Sequence, residues 1–235
     1  MQKAQEFKTK VSEHILINEK FQYVHLELME PYRMEFLAGQ YISIAIGEGE
    51  RRSYSIASSP SMKHAVEICV DVTPGGKGSK YIEGLKPGDE VSFLAPLGQF
   101  VLGDKEKEKK LLFVATGSGI APLRSMILDL LVEKQDKREM WLYWGMRFVK
   151  DMFWEEDFRQ RHEFFRNFNY ELVLSKPPEG WPVISGHVCG EIEGLGLGSD
   201  WGVYLCGNPE MTKEVNQLAL DKGVIKEQIH FEKFF

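Results

Sequence analysis

The chain changes texture near residue 110, and that change sets its fold class. Residues 7–102 carry six short runs rich in apolar residues: FKTKVSEHILI, FQYVHLEL, QYISIAI, SYSIAS, AVEICVDV and EVSFLAPL. Pro31, Gly39, Gly47, Gly49, Pro60, Gly75, Gly76, Pro87 and Gly88 break them apart. Short strands at this spacing predict an antiparallel six-stranded β-barrel, interrupted by one short helix in SKYIEGL. From residue 111 the pattern is different. LLFVAT (111–116) is a continuous apolar run, as expected of a strand buried on both faces. It is followed by helical periodicity in PLRSMILDLLVEK (122–134), then by strands MWLYWG (140–145), YELVLS (170–175), WGVYLCG (201–207) and QIHFEKF (228–234). Residues 151–166 and PEMTKEVNQLALDKG (209–223) read as helices. Alternating strand and helix predict a doubly wound, parallel five-stranded α/β domain. Between the halves, GDKEKEKK (103–110) reads as a solvated linker. The expected division is a barrel domain over 1–104, a linker over 105–110 and an α/β domain over 111–235.

Composition excludes several classes. The 235 residues hold 29 Lys and Arg against 35 Asp and Glu, a net charge of −6, which argues against nucleic acid as a partner. No apolar run approaches the roughly 20 residues of a membrane span. MQKAQEFKTK lacks the apolar core of a signal peptide. Cys69, Cys189 and Cys206 form no CxxC pair, so neither a zinc knuckle nor a cysteine-ligated iron–sulfur cluster is expected, and no metal site is assigned. Sparse cysteines of odd number fit a reducing, cytoplasmic setting.

Four stretches carry candidate chemistry. RRSYSIASS (51–59) crowds two arginines, a tyrosine and four serines into a strand. Arg52 offers a fixed charge and a fork of donors suited to phosphate. Tyr54, two residues on, leaves the same face, where its ring could cover a flat heterocycle, while Ser55 points to the opposite face or a ring edge. A polar edge strand would look similar. In PGGKGSKYI, Gly75, Gly76 and Gly78 free the backbone, Ser79 is placed to cap the helix, and the helix start suits a pyrophosphate; a flexible hairpin loop is the plainer alternative. In FVATGSGIAPLRSMI, a strand ends at Thr116, and Gly117 and Gly119 allow backbone N–H groups close to a phosphate before a helix that starts at Pro122. Any strand–helix turn can carry glycine, and the third glycine of the common dinucleotide fingerprint is replaced by Pro122. YLCGNPEMTKEV repeats the arrangement, with Cys206 at a strand end; a buried structural cysteine is the alternative there.

The order RSYS, GGKGS, TGSGIAP, CGNPEM and a Phe-rich terminus resembles the ferredoxin–NADP⁺ reductase family of flavoprotein reductases over about residues 7–235. The resemblance implies an FAD-binding barrel followed by an NAD(P)H-binding domain. It implies that Arg52, with Ser53 beside it, pairs with the FAD diphosphate, that Tyr54 stacks on the isoalloxazine and that Ser55 lies near flavin N5. Ile68, Cys69 and Val70 would line the ribityl chain and flavin edge. Gly76, Lys77, Gly78 and Ser79 would complete the diphosphate site. Thr116, Gly117 and Gly119 match the nicotinamide-dinucleotide phosphate turn, and Cys206, Gly207 and Met211 the nicotinamide side. In HFEKFF, Glu232 and Phe234 or Phe235 match a terminal carboxylate and an aromatic ring beside the flavin. Ser55, Cys206 and Glu232 would shape the reacting edge.

The chemistry implied is hydride transfer from NADPH or NADH to FAD, which needs the reacting atoms about 3–3.5 Å apart. Electrons would then pass singly to a separate acceptor: a ferredoxin, a flavodoxin, a haem protein, an oxygenase component or a small molecule. Ser175, Lys176 and Arg147 offer a hydroxyl and cations for a ribose 2′-phosphate and tilt the expectation towards NADPH, although Lys176 reads equally well as a solvated loop residue. A non-catalytic flavin-binding subunit or redox sensor is the alternative, and a flavin-free nucleotide-binding module a third.

Overall fold

A computed structural model describes residues 3–181 and 184–233. The chain divides into two compact units, Met1–Leu102 with Ala121–Lys134, and Gly103–Ile120 with Gln135–Phe235.

The first unit is a curled antiparallel sheet of β1 (Gln5–Leu16), β2 (Phe21–Glu30), β3 (Tyr41–Gly47), β4 (Glu50–Ser55), β5 (Ala65–Asp71) and β6 (Glu90–Leu97), with α1 (Lys77–Gly84) between β5 and β6. The strand order is β4-β3-β6-β1-β2-β5. The two edges approach one another at an antiparallel bridge between Ile56 and Ile68, with Ala57 N–H donating to Glu67 O at 2.8 Å. Alternation does the sorting, because successive strand residues point to opposite faces. Phe7 and Val11, Val24, Leu26 and Leu28, Ile42 and Ile44, and Val91, Phe93 and Ala95 all enter one core. Thr9 shares the buried face of β1 and is satisfied by donating its hydroxyl to Val91 O at 2.7 Å.

The second unit holds a parallel sheet of β7 (Lys110–Thr116), β8 (Glu139–Met146), β9 (Phe168–Leu174), β10 (Trp201–Gly207) and β11 (Ile229–Lys233), in the order β11-β10-β7-β8-β9. Leu111 to Ala115 are all buried, as the unbroken apolar run requires. A 3₁₀ turn over Gly117–Gly119 follows β7 and leads into α2 (Ile120–Leu128), which runs on through a π-helical turn over Asp129–Glu133. The remaining helices are α3 (Glu155–Phe164), α4 (Val188–Ile192) and α5 (Pro209–Asp221).

Three expectations change. The helix after the glycine turn starts at Ile120 rather than Pro122, and its residues from Ala121 to Lys134 group with the barrel. The short helix α4 has no sequence counterpart among the expected elements, because five residues carry too little periodicity to read. The charged stretch 103–110 is not wholly solvated. Glu108 is 1% exposed, accepts from the Tyr204 hydroxyl on one carboxylate oxygen and sits 2.7 Å from His230 Nε2 on the other. A buried carboxylate is tolerable when its lone pairs are filled in this way. Gly202 makes room for it, since a Cβ there would lie 2.3 Å from Glu108 Oε2.

Candidate cofactor sites

In the first unit the register of β3 with β4 opposes Ile44 to Arg52 and Ile42 to Tyr54. Opposed residues share a face, so Arg52 and Tyr54 lie on the side of the barrel core. Ser53 and Ser55 lie on the other, opposite Ser43 and Tyr41. The first turn of α1 presses onto the Arg52–Tyr54 pair. A Cβ added at Gly78 would fall 2.8 Å from the Tyr54 hydroxyl and 3.0 Å from Arg52 Cγ, so only glycine allows this approach. Two stretches far apart in sequence, RSYS and GGKGS, thereby form one surface.

Its donors suit a diphosphate. Arg51 is committed to the barrel, donating to Ser43 O at 2.6 Å, whereas Arg52 is exposed and donates to Arg51 O at 2.8 Å. The N-cap of α1 is Gly76, which has no side-chain oxygen to spend on the first-turn amides, and a helix N-terminus favours an anion. Ser79 is not the cap expected of it: the helix begins two residues earlier, and Ser79 is buried inside the first turn. Lys77 pairs with the Glu50 carboxylate, which lowers the Glu50 carboxyl from its usual value, the hydrogen bond from Lys77 being the main cause. Tyr54 is half-buried, and burial pushes its phenol up to about 12, so the ring stays neutral. These residues fit the phosphates and one flat ring of FAD.

On β5 the three expected lining residues do not face together. Ile68 and Val70 belong to the barrel core, and by strand alternation Cys69 points to the opposite face, so only the backbone of Ile68 and Val70 is available on the Cys69 side. Cys69 is buried, which pushes its thiol up.

In the second unit the two glycine turns meet. Strand order reverses between β7 and β10, the position at which doubly wound sheets bind ligands beyond the strand carboxyl ends. TGSG follows β7 and CGNP follows β10. A Cβ at Gly119 would lie 2.2 Å from Cys206 O, and one at Gly207 2.2 Å from Thr116 Oγ1. Gly207 has φ of +135° and Gly117 of +53°, the left-handed region that favours glycine. Asn208 N–H donates to Thr116 Oγ1 at 2.7 Å, Asn208 caps α5 by accepting from Glu210 N–H, and Trp144 Nε1–H donates to Gly117 O at 3.0 Å. This interlocked glycine turn, opening into α2, fits a dinucleotide phosphate.

Cys206 pairs in register with Glu232 on β11. Burial first, and the Glu232 carboxylate second, hold its thiol well above the ordinary value. Cys206 is therefore a neutral, packed thiol at neutral pH and not a thiolate. Glu232 is half-buried. Met211 is buried in the core of the second unit with Val215 and Leu205. Arg147, Ser175 and Lys176 are all exposed, and the backbone joins them: Lys176 N–H donates to Arg147 O at 2.9 Å and Ser175 N–H to Met146 O at 3.0 Å. Phe234 and Phe235 lie outside the described residues.

Sequence reading missed Arg124 and Glu67. Their side chains are 14% and 13% exposed and paired at 2.8 Å. The signal was available: each is a lone charge in an apolar stretch, Arg124 in IAPLRSMIL and Glu67 in AVEICV.

Comparison with known proteins agrees with this geometry. The family model described as "Oxidoreductase FAD-binding domain" matches residues 8–102, and that described as "Oxidoreductase NAD-binding domain" matches residues 113–217. One subunit of the Na(+)-translocating NADH-quinone reductase of Methylococcus capsulatus is 34% identical over 200 residues, covering 78% of this chain and 49% of that protein. The phenol hydroxylase P5 protein of Acinetobacter pittii is 34% identical over 217 residues, covering 90% of this chain and 60% of that protein. The chain thus spans about half the length of the first and three-fifths of the second. Among solved structures, the cytochrome P-450 reductase GcoB of Amycolatopsis superposes with a TM-score of 0.90 at 28% identity, covering all of this chain and 71% of that one. A ferredoxin NADP⁺ reductase of Neisseria gonorrhoeae shares the fold, with a TM-score of 0.81 at 23% identity and full coverage of both chains. With an FAD-binding and an NAD-binding domain in this order and in these folds, the chain belongs to the ferredoxin–NADP⁺ reductase family.

Proposed function

We propose that this protein takes hydride from NAD(P)H onto FAD and delivers the electrons singly to a separate acceptor. The observation that carries the reading is the seating of Gly78 on Tyr54 and Arg52, because it joins a phosphate-binding helix start to an aromatic platform. FAD, when bound, supplies the step between a two-electron donor and a one-electron acceptor; the chain supplies binding and orientation. Arg52 and the first-turn amides of Lys77, Gly78 and Ser79 hold the diphosphate. Tyr54 covers the isoalloxazine, and Ser55, where the strand ends, flanks its edge with Cys69 and the Ile68 and Val70 backbone, while Ser53 stays beside Arg52 at the diphosphate. Gly76 sets the start of α1.

Thr116, Gly117 and Gly119 receive the nucleotide phosphates. Cys206 and Gly207 form the nicotinamide side, with Met211 as packing beneath. Glu232, next to Cys206, supplies a carboxylate at the same strand ends, and Phe234 or Phe235 a covering ring. The domain division at 1–104 and 111–235 is part of the proposal. Arg147 and Lys176, with the Ser175 hydroxyl, favour NADPH, since a 2′-phosphate needs cations. The names of the two relatives, a subunit of an NADH-quinone reductase and a component of phenol hydroxylase, favour a protein acceptor. They also keep NADH in play as donor. A cytoplasmic location belongs to the same proposal; among the described residues no helix is long and apolar enough to cross a membrane.

The names of these relatives also support a second reading, a flavin-binding subunit that does not turn over alone. Turnover of NADPH or NADH with ferricyanide by the purified protein tests the two. Sustained reduction supports the reductase, and FAD binding without turnover supports the passive subunit.

A further inference from the structure

The unit boundary falls between Ile120 and Ala121, directly after the glycine turn. The helix that opens at that turn therefore packs with the barrel, and the residues by which it does so are specific. Arg124 Nη1 donates at once to Ala57 O at 2.9 Å and to Glu67 Oε2 at 2.8 Å. The neighbouring Ser125 hydroxyl donates to Ser58 O at 2.6 Å and is buried. Ala57 and Ser58 continue the RSYSI strand, and Glu67 lies on β5. Between them run the barrel's closing contacts: Ala57 N–H to Glu67 O at 2.8 Å, Glu67 N–H to Ser58 Oγ at 3.2 Å, and the Ile56–Ile68 bridge. One guanidinium nitrogen thus grips both sides of the β4–β5 seam. The helix is wedged there as well, because a Cβ at Gly39 would lie 2.3 Å from Met126 Cε.

We propose that Arg124 is a positioning residue that couples nucleotide binding at the Thr116–Gly119 turn to FAD binding on the RSYS strand. The inference rests on the two-cofactor reading above. A nucleotide phosphate that orders the turn also orders the start of α2. Within one turn of helix that order reaches Arg124, whose two acceptors fix the strand just past Ser55 and the strand that carries Cys69. Coupling between two binding sites is reciprocal, so FAD must tighten nucleotide binding by the same factor by which nucleotide tightens FAD binding. Lysine is expected to reproduce the effect only in part, because its flexible ammonium is not held in place between the two acceptors as the rigid, planar guanidinium is.

The test uses the apo form of the full chain and three variants, Arg124→Ala, Arg124→Lys and Glu67→Gln. FAD affinity is measured by quenching of flavin fluorescence with and without saturating NADP⁺, and again with NAD⁺. NADP⁺ affinity is measured with and without FAD. The wild type is expected to bind FAD about threefold or more tightly with nucleotide present, with the reciprocal factor matching. Arg124→Ala and Glu67→Gln are expected to bring the factor close to one, and Arg124→Lys to leave it reduced. Melting temperature, read on each variant, separates loss of fold from loss of coupling, and the mild Glu67→Gln change serves if Arg124→Ala does not fold. A coupling factor unchanged in folded variants, or absent in the wild type, overturns the proposal. Failure of the wild type to bind FAD at all overturns instead the reading on which it rests.

Discussion

Cys206 and Glu232 stand side by side at the carboxyl ends of β10 and β11, paired in register, and the carboxylate adds to burial in keeping the thiol protonated. A neutral thiol is a poor nucleophile, so Cys206, fully buried, can lie beneath a nicotinamide ring without adding to the oxidised ring as a thiolate would. Cys206→Ser is expected to slow flavin reduction by NADPH by roughly tenfold or more, as a small misplacement of reacting atoms does, with FAD content unchanged. Anaerobic stopped-flow absorbance checks it, and equal rates in the two proteins would favour a purely structural cysteine.

The same burial has a consequence for stability. Cys69 and Cys206 both hold their protons in the folded chain more tightly than usual, whereas unfolded thiols ionise near about pH 8.5. The stability they contribute is complete below that pH and is lost as pH rises towards the folded values. The slope approaches about 1.4 kcal/mol per pH unit for each thiol. Urea unfolding between about pH 8 and 10 is expected to show this decline, and Cys69→Ala with Cys206→Ala to flatten it. An unchanged slope in the double variant would place the alkaline sensitivity elsewhere.

Gly78 is the tightest point of the proposed FAD site. Gly78→Ala places a methyl group 2.8 Å from the Tyr54 hydroxyl and 3.0 Å from Arg52 and is expected to weaken FAD binding about tenfold, or ~1.4 kcal/mol. Arg52→Ala removes a charge-assisted contact worth about 1.5–3 kcal/mol. Fluorescence titration of apo protein measures both. NADP⁺ affinity in the absence of FAD is the control that neither change should move.

Much of this was legible in the sequence because burial leaves a period. The alternation in FQYVHLEL and QYISIAI and the unbroken LLFVAT run each fix a strand and its environment, and two glycine turns after parallel strands mark the crevice at β7 and β10. What stayed hidden depends on partners far along the chain. Glu108 reads as a solvated charge in KEKEKK, and only Tyr204 and His230, arriving from β10 and β11, make its burial tolerable. Ser79 looks like a helix cap, yet the cap is Gly76, three residues earlier. Ile68, Cys69 and Val70 look like one lining, but alternation turns the middle residue away from its neighbours.

The Glu108 cluster itself can be tested. Glu108→Ala leaves the buried Tyr204 hydroxyl without its carboxylate and is expected to cost about 1–3 kcal/mol in urea unfolding. Glu108→Gln, which keeps an acceptor, is expected to cost less. A loss for alanine no larger than for glutamine would mean that the carboxylate contributes only its volume.

The central claim is that one chain binds FAD and reduces it with a nicotinamide nucleotide. Its most direct test is anaerobic titration of the FAD-reconstituted protein with NADPH, and in parallel with NADH, while flavin absorbance is followed. The expected result is uptake of about one FAD per chain and full bleaching of the flavin by about one equivalent of nucleotide, faster with NADPH than with NADH. A preparation that takes up no FAD, or whose bound flavin stays oxidised with either nucleotide, would contradict the account.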